Sequence, residues 1–124
     1  MKTLFAGVGG AVGGAVVDLI YISFAGPSGL FTLLGITQRA DVFLAHVVLG
    51  AILGVLFALI SKKVYLNIWL LGFIYSMLVM GLIGGIPSFI LGLVNSAATI
   101  FGFIVWTLYG LILSGAIVLA KEIK

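Results

Sequence analysis

Polar residues are spaced along this chain so that they separate four long apolar stretches. The first runs from Leu4 to Phe24 and is interrupted by one charge, Asp18. The second runs from about Val42 to Ser61 and holds the single histidine, His46. The third covers about Val64 to Ile86, and the fourth, about Ala97 to Ala120, carries no charge. Each is long enough to cross a bilayer, which takes about 20 helical residues. A helix is the only open-chain structure that satisfies its own backbone in lipid. The pattern predicts an all-α fold: an integral membrane bundle of four transmembrane helices. It forms one domain over 1–124, with spans at about 4–24, 42–61, 64–86 and 97–120.

Composition sharpens this picture. Hydrophobic residues make up 64% of the chain and charged residues 7%, against about 25% charged in a water-soluble domain. That excludes an ordinary soluble enzyme. The net charge of +3 does not indicate a nucleic-acid partner, because that footprint needs clustered Lys and Arg. Four spans use roughly 80 residues and leave no room for a second, soluble domain. Cysteine is absent, so disulfides, thiol nucleophiles and thiolate metal sites are excluded.

Charge placement predicts orientation. Lys2, Lys62, Lys63, Lys121 and Lys124 all fall on one side of a four-span chain; the other side has Arg39, offset by Asp41. By the positive-inside rule both termini are expected in the cytoplasm, in the cytoplasmic membrane of a prokaryote. Tyr65 and Trp69 suit an interfacial aromatic belt. Lys2 and the small residues around Phe24 resemble a signal peptide. The apolar region is longer than the usual 7–15 residues, however, and contains Asp18, so it reads as a retained span.

The two outer connections are apolar. Gly26-Pro27-Ser28 leads into Leu30 to Leu34, and Pro87-Ser88 leads into Phe89 to Leu93. Each fits a short interfacial helix with proline near its start; the second equally fits a proline-kinked extension of the third span. The Pro-Ser pairs lie 60 residues apart, as do Gly50/Gly110, Phe43/Phe103 and Leu53/Leu113. This offset suggests two tandem helix hairpins.

The eighteen glycines form helix faces. Gly7, Gly10 and Gly14 recur at helical spacing in the first span, and Gly50 and Gly54 lie one turn apart in the second. Such rows let backbones approach closely, so Gly10, Gly14, Gly50 and Gly54 are expected at helix–helix contacts. Gly7-Val8-Gly9-Gly10 is no nucleotide loop, because no strand precedes it. Asp18 continues the first glycine row and His46 the second. An ionisable residue inside a span is costly and faces protein or water. The two are therefore expected to approach each other in the outer half of the membrane. A register-fixing polar pair is the favoured reading, and a proton or ion relay the alternative. One histidine and one carboxylate make an incomplete coordination shell, so no metal or cofactor is expected. Ser76, Ser88, Thr99, Thr107 and Ser114 read as helix glue or backbone-bonded hydroxyls, and Tyr75, Trp106 and Tyr109 as interhelical packing.

Two families share local patterns with the chain. Phe43 to Gly54, with His46 followed by Gly50 and Gly54, resembles the His-then-spaced-Gly helix of YagU-like small membrane proteins. Phe101-Gly102-Phe103 with Trp106 and Gly110 resembles their last helix, where His often stands at the position of Phe103. That resemblance covers about half the chain and implies a multi-span fold without an assigned activity. Gly81 to Phe89 resembles the third-helix glycine run of the fluoride-channel family. Of that family's Thr/Ser-Phe series only Ser88 and Phe89 remain, and its second-helix Asn is missing.

The sequence thus predicts a small non-enzymatic polytopic membrane protein. It would be a structural or accessory component acting through glycine-mediated packing, as a homo-oligomer or a subunit of a larger complex. The alternative is an oligomeric ion- or proton-conducting protein using Asp18 and His46. Val55 to Ile60, an apolar run below Gly54, favours the first.

Overall fold

The computed structural model describes residues 2–25, 34–36, 38–92 and 96–122. Among them it contains four helices and no strand. Helix α1 is Lys2–Ala25 and α2 is Arg39–Ser61. The third helix starts as α3, Ile68–Val79, widens into a π-helical segment, Met80–Gly85, and ends as a short α4, Ile86–Ile90. Helix α5 is Ser96–Glu122. Three helices are long and apolar enough to cross a membrane, over Thr3–Ile20, Arg39–Ser61 and Thr99–Ala120; the third helix offers the shorter apolar run Ile68–Ile83.

Two boundaries differ from the hydropathy pattern. Helix α2 begins at Arg39 rather than Val42, because the Val42 N–H already bonds to the Gln38 carbonyl at 2.9 Å. Its first turn is polar and so escapes a reading based on apolar runs. The third helix begins at Ile68 rather than Val64. Asn67 sets that start as an N-cap: its Oδ1 accepts the N–H of Trp69 at 2.9 Å and that of Leu70 at 3.4 Å.

The segment at Pro87 is a continuation of the third helix and not a separate one. Ile86 donates its N–H to the Gly81 carbonyl, five residues back. Proline lacks an N–H and its ring crowds the preceding turn of an α-helix. A wider turn just ahead of it, rich in glycine, accommodates the ring. The helix stops where Gly92 takes a φ of +70° and bonds to the Phe89 carbonyl. The interfacial segment expected at 26–34 lies, apart from Leu34, outside the described residues.

Helix α1 packs against α2 on one side and α5 on the other, and α3 packs against α5. The α1–α2 seam is antiparallel. Asp18 meets His46, Gly50 lies against Gly14, and Gly10 lies against Gly54, so the partners step by four residues in opposite directions. The α3–α5 seam follows the same plan with serine in place of some glycines. Gly72 lies against Gly110 and Ser114, and Gly110 against Ser76. Between the seams, Phe57, Val105, Tyr109, Leu113 and Ile117 form the buried core.

Polarity is distributed inside out relative to a soluble bundle. Asp18, His46, Ser76 and Ser114 are buried, while Leu4, Val8, Val12, Leu44, Val48 and Ile52 are exposed. Buried polar groups and broad exposed apolar surface are the informative departures from the ordinary soluble pattern.

Candidate functional site: a buried carboxylate between two helices

The site is built from two rows at helical spacing. On α1, Ala6, Gly10, Gly14 and Asp18 recur every four residues and are all buried; on α2, so do His46, Gly50, Gly54 and Ala58. Residues four apart stack on one helix face, so each row is a stripe, and the stripes face each other. A β-carbon on Gly10 would collide with the Gly50 carbonyl, and one on Gly14 with the His46 carbonyl. On Gly50 it would collide with the Gly10 carbonyl, and on Gly54 with that of Ala6. All four glycines therefore sit where backbone meets backbone. Gly9 and Gly13 instead make room for side chains of α5. Added β-carbons there would lie 2.9 Å from Ala116 Cβ and 2.6 Å from the Tyr109 ring.

This closeness draws Asp18 into the interior, where its side chain is 0% exposed. Asp18 Oδ1 lies 3.0 Å from His46 Nδ1, and Asp18 Oδ2 lies 2.7 Å from Arg39 Nη2. His46 Nδ1 is also 3.0 Å from the Val42 carbonyl one turn earlier. A nitrogen facing two oxygens must carry the hydrogen, so Nδ1 is the protonated position of the ring. The Arg39 side chain is 51% exposed, half in the interior and half at the helix end.

The structure thus brings Asp18 and His46 together and adds a third member. Arg39 reaches inward to Asp18, while Asp41 is exposed. The available signal was spacing. Arg39 precedes His46 by seven residues, two helical turns, which places both on the face that meets α1. The charges of Asp18 and Arg39 cancel. Ion pairs of this kind contribute little net stability once desolvation is counted, but losing one partner is expensive.

Other hydroxyls on the helices bind backbone. Tyr109 donates to the Gly50 carbonyl at 2.7 Å and Tyr75 to the Leu53 carbonyl at 2.6 Å, tying α5 and α3 to α2. Ser114 donates to the Ile68 carbonyl at 2.9 Å across the α3–α5 seam. Ser76 and Thr107 donate within their own helices, to Phe73 at 3.0 Å and Phe103 at 2.7 Å. Phe57 packs on Tyr75 with ring centroids 5.2 Å apart, and Trp106 meets Tyr109 edge-on at 5.1 Å. The Ser88 side chain lies outside what is described.

The cluster can hold a proton, exchange ion-pair partners or lock two helices in register. Among the described residues, no three His, Cys, Asp or Glu side chains gather as a metal site would require. A shallow groove lined by Gly35, Ile36, Gln38, Asp41, Leu44, Ala45 and Val48 opens on the outward face of α2, apart from the buried acid. Comparison of the chain with protein-family models, curated proteins and solved structures finds no match.

Proposed function

We propose that this chain is a small integral membrane protein of four spans, arranged as two tandem helix hairpins. It works without catalysis, as a structural or accessory component that assembles with copies of itself or with a larger complex. The observation that carries this reading is the inside-out distribution of polarity, with Asp18, His46, Ser76 and Ser114 buried beneath an apolar exterior. In lipid such an exterior is solvated, and glycine contacts replace the hydrophobic effect as the basis of packing. The interior supports a scaffold over a conduit. Tyr109, Tyr75 and Ser114 bond to backbone carbonyls, and the fully buried Phe57 fills the core below Gly54. The matching seams at Gly50/Gly54 and Gly110/Ser114, 60 residues apart, support the tandem hairpins. The lysine asymmetry supports cytoplasmic termini in a prokaryotic cytoplasmic membrane.

The deciding experiment is extraction in native lipid followed by mass measurement. The expected species contains more than one 13.0 kDa chain, or one chain with a stoichiometric partner. A lone monomer overturns the reading. A second reading, an oligomeric proton or ion conductor, draws support from the half-exposed Arg39 above the enclosed Asp18. Flux into proteoliposomes above the lipid-only rate, lost in Asp18→Asn, would favour it.

A further inference from the structure

We propose that Asp18 and His46 form a proton-binding site governed by Arg39, in which proton uptake on His46 displaces the Arg39 guanidinium from Asp18. The inference goes beyond the scaffold reading and rests on it only in treating the exterior around the cluster as lipid.

Few charges can reach this place. Apart from tyrosines, the ionisable residues between Thr3 and Ser61 are Asp18, Arg39, Asp41 and His46; between Tyr65 and Ala120 there are none. From α1 the cluster receives Asp18, and from α2 Arg39 and His46. Asp41 is exposed and borders the outward groove. Helices α3 and α5 bring only Tyr75 and Tyr109, whose hydroxyls bond to the Leu53 and Gly50 carbonyls. Tyr21 is the remaining titratable residue in this half of α1. A single enclosed carboxylate therefore stands between two cationic candidates, one on each oxygen.

Electroneutrality governs how many cations this carboxylate can keep. With His46 neutral, Asp18 and Arg39 cancel. When the imidazole takes a proton from the aqueous phase at the Arg39 end, its Nδ1–H contact with Asp18 becomes a charge-assisted bond. Two cations around one enclosed carboxylate would leave an uncompensated positive charge, which a low-dielectric interior disfavours strongly. Arg39 is the member able to leave. Its side chain is 51% exposed, and it is the first residue of α2. A helix N-terminus repels a cation, so the Asp18 carboxylate is what draws it inward. The proton enters, the guanidinium moves out, and the enclosed charge is zero before and after. No covalent bond between heavy atoms changes. The consequence is a loosened α1–α2 end at acid pH, because the tether from the α2 start to the α1 interior is gone.

The sequence makes the test unusually direct: His46 is the only histidine and Arg39 the only arginine. Selective nitrogen-15 labelling of each residue type gives one imidazole and one guanidinium, read by NMR on the full chain in lipid nanodiscs from pH 8.5 to 4. The expected result is a held guanidinium at high pH. It becomes mobile and solvent-exchanging with the same midpoint at which His46 gains its proton. In His46→Asn, which keeps a donor near the Nδ1 position but cannot titrate, the guanidinium should stay held throughout. An Arg39 signal unchanged while His46 protonates overturns the proposal. So does a His46 that never titrates in this range, or an Arg39 that still loosens at the same pH in His46→Asn. These readouts are local and do not depend on oligomeric mass, so this inference and the scaffold reading can fail separately.

Discussion

Replacing Gly50 with alanine is the most informative small change, because its effects oppose each other and the geometry says which wins. In an unhindered helix interior, Gly→Ala stabilises by about 1 kcal/mol through propensity. At Gly50 the added methyl would overlap the Gly10 carbonyl and lie 3.0 Å from Gly14 Cα and 3.1 Å from Gly14 N. All three are backbone atoms of α1, which cannot turn aside as a side chain would. Restoring a carbon–oxygen contact of about 3.3 Å requires the helices to part by about 1 Å, and a gap of that size forfeits up to about half of each dispersion contact along the seam. Overpacking of this kind costs about 1–3 kcal/mol. Parting also strains the Tyr109 bond to the Gly50 carbonyl, worth about 0.5–1.5 kcal/mol. The expected net effect is a loss of about 1–3 kcal/mol. Gly115→Ala is the control: its methyl would meet Trp69 Cη2 at 3.9 Å, an ordinary contact, so only the propensity gain remains. Reversible unfolding in mixed micelles, followed by tryptophan fluorescence, measures both, with Trp106 beside Tyr109 as a local reporter. Gly50→Ala as stable as wild type would refute the backbone-contact argument.

Other substitutions probe the same geometry. Asp18→Ala frees the half-exposed Arg39 to water and leaves His46 Nδ1–H with the Val42 carbonyl, and should cost about 1–3 kcal/mol in the same unfolding assay. In a cycle of Asp18→Asn with Arg39→Gln, unfolding should give a coupling of about 0.5–3 kcal/mol, whereas additive effects would dissolve the pair. Tyr109→Phe should lower stability by about 0.5–1.5 kcal/mol and retain the helix content seen by circular dichroism. Reporter fusions at both termini should be active only on the cytoplasmic side, and external activity at either end would reverse the topology.

Most of the helical framework is legible in the sequence because long apolar runs and charge gaps are local properties of the chain. The row Gly10, Gly14, Asp18 and its counterpart His46, Gly50, Gly54 can be read from spacing alone, since residues four apart share a face whatever the tertiary structure. Arg39 is legible as part of the site only through its seven-residue spacing from His46, which a reading of apolar runs passes over. A charge outside an apolar run looks like a solvated flank, and its reach toward Asp18 depends on how deep the neighbouring helix sets that acid. The start of the third helix is obscured for a related reason: hydropathy counts Val64 and Tyr65 as span, whereas the Asn67 side chain caps the backbone at Ile68. The π-helical turn before Pro87 is a compromise between a proline ring and a continuous helix. A pattern of apolar residues carries no information about it.

The antiparallel stepping of the α1–α2 seam also limits how this chain can change over evolutionary time. Asp18 against His46 and Gly14 against Gly50 are a single arrangement, because each helix advances by one turn as the other retreats by one. Adding or deleting one residue within α1 between Gly10 and Asp18 would rotate the acid about 100° away from the seam. An insertion of four would restore the face but set Asp18 roughly a turn further along α2, toward Gln38 and away from His46. Within the α1–α2 hairpin, the connection between Ala25 and Arg39 lies outside this constraint. Length variation among descendants of this sequence should therefore collect there, while α1 and α2 keep a fixed count of residues between their glycines and their charges.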